Sequence, residues 1–416
     1  MKDQKPIELD GRTGEGGGQL VRIACALAAV ATQSIRIVHV RGNRAGPRGG
    51  GLKSQHVTAI EYLAKATAAD VTGLSVGSHT LEFRPRLKPS ALVDDRTIKI
   101  SADSPAASTM LIFQAVFPFL LFAGTDKGDP ITLELLGGTN VSFSLSYEYL
   151  DQVLLPTLQD AFGITVERKL HSRGWSLGKA QRGKVTFKFT PLKPDETLKL
   201  KEEGAVYGGG APGPDVEIEE VDVSMIVPAE MQESMAETLV ADMEELFPGV
   251  KVNFKIIEDS GADSRIYVLL VAKAGGLRWG RDILASTPKK LKGKSGSRQT
   301  ISLCEDISRR VSKKLLDEVS AGVIDEFLQD QLVIFQVLSE GRTSFPRRNG
   351  GLEQAMAKLD ISEMHKDKTD GPFGDGSTHT TTARWVTAQL LPGVRWYNKG
   401  EVCEGVGISM DMGKTR

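Results

Sequence analysis

Apolar and polar positions alternate along this chain in two periods. Ile7–Asp10 and Ile35–Val40 are short β-branched runs that predict strands. Between them a glycine-rich turn, Gly14–Gly18, leads into Gln19–Ala31, whose apolar residues recur at helical spacing. Leu52–Ala64 predicts a second helix. Val71–Val76 and Thr80–Arg84 predict a hairpin turning at Gly77-Ser78. Asp103–Ala123 reads as a long helix, Ile131–Leu136 as a strand and Leu150–Phe162 as a third helix. Strands follow near Ile164–Lys169 and Lys184–Pro191. Leu198–Pro214 is charged, then rich in glycine and proline, and reads as a connection. After it, Val221–Val227, Ala229–Leu246, Val250–Ile257 and Arg265–Ala272 read as strand, helix, strand, strand. Gly275–Arg298 reads as a basic connector. Helices are expected over Ile307–Glu318, Ala321–Leu338 and Thr380–Leu391, with a weak one at Leu352–Leu359 inside the polar excursion Gly341–Gly376. Helices alternating with short strands argue an α+β or α/β architecture rather than a helical bundle. The unit of strands and helices recurs, but no sequence repeat proves it.

The length of 416 residues suggests two or three structural units. With 52 basic and 53 acidic residues, the net charge of -1 excludes a globally basic nucleic-acid coat protein and leaves room for a local basic groove. Cys25, Cys304 and Cys403 are far apart and form no CxxC pair, which favours a reducing compartment. The longest apolar run, Met110–Ala123, falls short of a bilayer span, and Met1–Leu9 is polar and lacks a signal-peptide core. The expectation is a soluble intracellular protein of the nucleus, the cytoplasm or both. The basic run Lys289–Lys294 reads as a solvated loop or a nuclear-import signal.

Four clusters could carry chemistry. Glu15-Gly16-Gly17-Gly18-Gln19 opens a helix. Its glycines let backbone N–H groups face an anion, and Glu15 could hold a metal ion bridging phosphates, or could simply be an exposed turn residue. Arg41, Arg44 and Arg48, followed by Lys53, Gln55 and His56, suit a phosphate backbone or a solvated loop, and His56 could be no more than a helix cap. Phe327, Asp330 and Gln331 share one helix face, while Leu328, Leu332 and Phe335 face the core; the first three could stack on and hydrogen-bond a nucleoside, or the segment could be an ordinary amphipathic helix. His379, within Thr378–Thr382, is either a cap or a nucleophile, since neutral imidazole attacks phosphorus well near neutral pH. His39, His79, His171 and His365 show no metal-ligand spacing.

Taken in order, GEGGGQ (14–19), the arginine loop ending in Gln55-His56, GGTN (137–140), DEFLQDQL (325–332) and THT (378–380) resemble the RNA 3'-terminal phosphate cyclase family over nearly the whole chain. The likeness is closest to its eukaryotic, catalytic branch. The resemblance implies repeated βαβαββ-type units forming a large domain, residues 1–197 and 285–416, with a smaller inserted α/β domain over 215–284. It implies three chemical steps. Histidine attacks the α-phosphate of ATP, AMP passes to an RNA 3'-phosphate, and the adjacent 2'-hydroxyl closes a 2',3'-cyclic phosphate. Carried onto this chain, His379 matches the nucleophile and Glu15 the acidic residue near the triphosphate and its Mg2+ or Mn2+. Gln114, Phe327, Asp330 and Gln331 match nucleotide contacts. Arg22, Arg41, Arg44, Gln55 and His56 match positions near RNA or phosphate. Phe327 stands where the family often has Tyr, Leu145 where it has a proline against the adenine, and Gly174–Lys179 departs from its glycine-rich stretch. Two other readings belong to the same fold. One is a cyclase-like protein without the activity, working in ribosomal RNA processing; such relatives lack the nucleophile, which is present here. The other is an enolpyruvyl-type transferase, against which the GEGGGQ and THT motifs stand.

Overall fold

A computed structural model describes residues 5–44, 46, 49–177, 181–201, 217–261, 265–288, 298–347 and 364–411. One strand order recurs. In the first unit, β1 (Ile7–Asp10), α1 (Gly18–Ala31), β2 (Ile35–Val38), α2 (Ser54–Ala66), β3 (Asp70–Thr72) and β4 (Leu81–Arg84) build a sheet ordered β1-β2-β4-β3. β1 and β2 are parallel because α1 crosses between them, and the remaining pairs are antiparallel. The second unit repeats this as β5 (Thr97–Ser101), α3 (Thr109–Leu121), β6 (Ile131–Gly137), a helical run ending in α4 (Leu155–Phe162), β7 (Val166–Ser172) and β8 (Gly183–Phe189), ordered β5-β6-β8-β7. After β8, the chain enters a third sheet, β10-β9-β11-β12, from β9 (Glu220–Val227), β10 (Lys251–Asp259), β11 (Arg265–Ala274) and β12 (Leu277–Ser286). Helices α5 (Gln232–Leu246) and α6 (Arg298–Ala321) pack on each other and on this sheet. Next come α7 (Glu326–Leu338), β13 (Glu340–Ser344), α8 (Thr378–Leu390), β14 (Arg395–Tyr397) and β15 (Val402–Val406). Their sheet runs β13-β15-β14, and Lys199 pairs in parallel with Glu340 beside β13. Counting that bridge as a first strand, the third unit has the same order as the first two.

Alternation buries one face of the second sheet: Ile131, Leu133 and Leu135 of β6 and Val185, Phe187 and Phe189 of β8 are buried. The helices of the three units meet across this core, α1 against α3 and α8, and α3 against α7. Helix α3 is buried nearly all round, and its Phe113 and Phe117 rings stack at 4.5 Å and reach Phe187 and Phe189 on β8 at 4.6 and 4.9 Å. Each such ring contributes ~1.5–3 kcal/mol of burial.

The boundaries move where local chemistry outranks periodicity. β2 ends at Val38 because His39 and Arg41 take left-handed backbone, φ 51° and 54°. α3 starts at Thr109 rather than Asp103, since Ser108 accepts the Leu111 N–H at 3.2 Å and fixes the N-terminus there. α7 starts at Glu326 rather than Ala321, with Asp325 accepting the Leu328 N–H at 2.9 Å. The expected connector Gly275–Arg298 is corrected: its first part is β12, with Leu277, Trp279 and Ile283 buried against the sheet. Its basic residues misled the reading, because Arg278 and Arg281 are spent on Asp160 and Glu318. β5, β14 and β15 are too short or too polar to show in the sequence pattern. The excursion Gly341–Gly376 begins inside β13. The weak helix Leu352–Leu359, Arg48, the Lys289–Lys294 run and most of Leu198–Pro214 lie outside the described residues.

Candidate active site

Two adjoining cavities lie where α1, α3, α7 and α8 converge. The loop before α1 forms one wall. Gly14 and Gly16 adopt φ +66° and +58°, and a Cβ on either would overlap Thr382 or Asn43, so this tight approach requires glycine. The Glu15 N–H donates to the Thr382 Oγ1 at 2.8 Å, tying the loop to α8. Gly17, which caps α1, offers the first amides no side-chain acceptor, so they are available to an anion. Ser377 caps α8, accepting the Thr380 N–H at 3.1 Å, and thereby fixes His379 in the first turn.

The His379 Nδ1 lies 2.5 Å from the Gln19 Oε1. An amide oxygen only accepts, so Nδ1 carries the proton and Nε2 keeps its lone pair. Burial, then Arg22 and Arg44, push the imidazole below the ordinary histidine range, with Glu326 opposing. The neutral form therefore prevails at neutral pH. The Glu15 side chain is 6 % exposed, stands beside Arg44, and brings its Oε2 to 4.0 Å from the His379 Nδ1. That buried Oε2 has no hydrogen-bond partner among the described residues.

The inner cavity, ≈ 250 Å³, is lined by Gln19, Arg22, Gln114, Leu145, Asp282, Phe327, Asp330, Gln331 and His379, among others. Its polar wall is a relay. The Arg22 Nε donates to the Gln114 Oε1 at 2.6 Å, the Gln114 Nε2 to the Gln331 Oε1 at 2.9 Å, and the Gln331 amide to Asp330. Desolvation lowers Arg22 to about 10 and raises Asp330 to about 7, the latter opposed by Gln331 and Arg22. Arg281 lies over the Phe327 ring at 4.2 Å and Tyr149 meets its edge at 6.0 Å, holding the aromatic in place. Asp282, on β12, is raised by burial to about 6.

The outer cleft, ≈ 830 Å³, carries Glu15, Arg41, Arg44, Lys53, Gln55 and His56, and shares Gln19, Arg22, Leu111, Phe143 and His379 with the inner cavity. His56 is 2 % exposed. Its Nδ1 accepts the Lys53 N–H at 3.0 Å, which makes it a cap and leaves the proton on Nε2. The Nε2 has no partner among the described residues and lies beside Gly18. Burial, followed by Arg22, Arg41 and Lys53, keeps His56 neutral, well below the ordinary range.

Glu15, Arg22, Arg41, Arg44, Gln55, His56, Gln114, Phe327, Asp330, Gln331 and His379, the site residues expected from the sequence, thus each line one of the two cavities. Gln19 was part of the glycine motif, yet its role in orienting His379 needed coordinates. Asp282, Arg281 and Phe143 were missed. The first two come from a segment read as connector, and an isolated phenylalanine in a loop gives no signal. GGTN turns out to be scaffolding: the Asn140 Nδ2 donates to the buried Glu148 at 2.6 Å, and Arg173 closes the pair.

Residues 13–393 match the family described as RNA 3'-terminal phosphate cyclase. Proteins named RNA 3'-terminal phosphate cyclase are similar along most of their length. That of Staphylothermus marinus is 31% identical over 81% of this chain and 86% of its own. That of Methanosarcina mazei is 31% identical over 84% and 92%, and that of Drosophila melanogaster 28% over 83% and 86%. No helix among the described residues is long and apolar enough to cross a membrane.

Proposed function

Because the chain belongs to the RNA 3'-terminal phosphate cyclase family, we propose that it uses ATP to convert an RNA 3'-terminal phosphate into a 2',3'-cyclic phosphate through an adenylate on His379. The observation that carries this reading is the pairing of the His379 Nδ1 with Gln19, which leaves Nε2 as a neutral nucleophile between the two cavities. Adenosine occupies the inner cavity, stacked on Phe327 and opposed by Leu145, while its phosphates lie toward Arg22, Arg44 and the free amides of α1. Nε2 attacks the α-phosphorus and pyrophosphate leaves. The RNA 3'-phosphate, held in the outer cleft by Arg41, Lys53 and the neutral His56 N–H, takes AMP from the histidine. The neighbouring 2'-hydroxyl then attacks the activated phosphorus, giving up its proton, and AMP departs. Adenylation supplies the leaving group a phosphate dianion lacks, and the ribose itself holds the nucleophile adjacent. The 2'-hydroxyl accounts for the choice of RNA.

Among the described residues no group of three or more His, Cys, Asp or Glu side chains could hold a metal ion. The buried, unpartnered Glu15 Oε2 nevertheless fits a site of the magnesium type, in which one carboxylate and substrate phosphates share the ion. When bound there, the ion would neutralise phosphate charge.

The test is incubation with Mg2+ and ATP labelled at the α-phosphate. Acid-labile, alkali-stable label is expected on the native chain and background label on His379→Ala; equal label on both would sink the mechanism. RNA ending in a 3'-phosphate should acquire a phosphatase-resistant cyclic end and release AMP, whereas a 2'-deoxy end should stop at the adenylate and release none.

A further inference from the structure

Phe143 is 54 % exposed and is the one aromatic ring among the exposed large apolar side chains of the described residues. Its exposure is not the result of a loose loop. The Ser144 Oγ lies 2.7 Å from the Ser108 Oγ, the Ser142 N–H donates to the Ser176 Oγ at 3.2 Å, and Ser146 accepts the Tyr149 N–H at 3.0 Å. The backbone is fixed on both sides while the ring stands in solvent. The ring also borders both cavities, beside His379 and Arg22, with Arg41, Arg44 and Lys53 along the outer cleft. A solvated aromatic beside a row of cations is what single-stranded nucleic acids use: the cations follow the backbone, and a base stacks on the ring.

Building on the proposed function, we propose that Phe143 is the stacking platform for the 3'-terminal base of the RNA. An RNA end entering along the outer cleft must bring its 3'-phosphate to His379. The base of that same nucleotide then lies within one nucleotide's reach of the junction at which Phe143 stands. The inner cavity already has an aromatic for adenosine in Phe327, so the outer ring is left for the second base. Stacking needs no hydrogen-bond pattern, so this contact accepts all four bases, purines better than pyrimidines.

The experiment is equilibrium binding without ATP, by fluorescence anisotropy. It uses a short 5'-labelled oligoribonucleotide ending in a 3'-phosphate and the same strand with an abasic terminal nucleotide. Removing the base should weaken binding to the native full chain about tenfold. Phe143→Ala should bind the complete strand about as weakly as the native chain binds the abasic one, with the two strands then within about twofold of each other. Phe143→Trp should restore the difference. Phe143→Leu, apolar but without a flat face, should not. A full abasic penalty persisting in Phe143→Ala, or unchanged binding by that variant, would overturn the assignment. So would a loss that falls on ATP binding in the absence of RNA. Since no adenyl transfer is involved, failure to label His379 leaves this result readable on its own.

Discussion

At His379, burial and two guanidinium groups act in one direction on a single imidazole. A histidine below its ordinary value of about 6.5 is protonated, and unable to attack phosphorus, only at more acid pH. Adenylation should therefore hold its rate as pH falls to the ordinary histidine range and decline below it. Arg44→Gln removes one of the depressing charges and also frees the Glu15 carboxylate, 4.0 Å from Nδ1, to favour the imidazolium. Both changes raise the pKa, so the acid limb of the adenylation rate should move to higher pH in that variant. Titration of ATP itself is common to both chains and cancels in the comparison. An acid limb that stays in place, or moves down, would show that Arg44 does not set the protonation of His379. The residue types of the site were legible in the sequence because phosphate chemistry admits few of them: Glu15 behind glycines, Arg41 and Arg44 together, and His379 among hydroxyls. The tautomer was not, since it depends on Gln19, 360 positions away.

At the scale of elements, the nucleotide pocket depends on where α7 begins. Asp325 is fully buried and accepts three bonds, from the Leu328 N–H at 2.9 Å, the Gly280 N–H at 2.8 Å and the Tyr149 hydroxyl at 2.6 Å. One carboxylate thus caps α7 and fastens it to β12 and to the helical run before α4. Asp325→Ala removes a cap, ~1 kcal/mol, and orphans a buried hydroxyl and an amide, ~1–3 kcal/mol each. A loss of roughly 3 kcal/mol or more is expected, read as a lower urea midpoint, together with weaker ATP binding because Phe327 and Asp330 shift with the helix. Asp325→Asn, which keeps an acceptor for the Leu328 N–H, should lose less. Equal losses would mean that the cap bond from the Leu328 N–H, which asparagine keeps, does not hold α7. The amphipathic pattern Leu328, Leu332, Phe335 showed that this helix exists and which face it buries. Its start was misplaced by several residues because a cap is a single side-chain bond, invisible to periodicity. β12 was missed for a related reason: arginines satisfied by distant carboxylates look, in sequence, like solvated charge.

Across the whole molecule, one strand order recurs in three sheets, with α7 and β13 in the third corresponding to α1 and β2 in the first. The sequence could not prove this, because what repeats is topology and not residue identity. We propose that the sheet β9–β12 with α5 and α6 is an insert between the Lys199 bridge and α7, and that it completes the nucleotide site through Asp282. The seam between insert and second unit is a chain of polar contacts: the Ser146 Oγ lies 2.5 Å from the Tyr267 hydroxyl, which donates to the Asp282 Oδ2 at 3.4 Å. Tyr267→Phe deletes the middle of that chain and takes from the buried Ser146 one of its two partners, leaving the Tyr149 N–H. The cost should be ~1–2 kcal/mol, seen as a lower thermal midpoint without ligand. If the insert shapes the cavity, the stabilisation by ATP must fall as well. Ligand at 100 times its Kd contributes about 2.7 kcal/mol, and a tenfold weaker Kd removes about 1.4 kcal/mol of that. The ATP-induced rise in midpoint should therefore shrink to about half in Tyr267→Phe at the same ATP concentration. A variant that loses intrinsic stability while keeping the full ATP-induced rise would show that the insert docks on the nucleotide site without forming part of it.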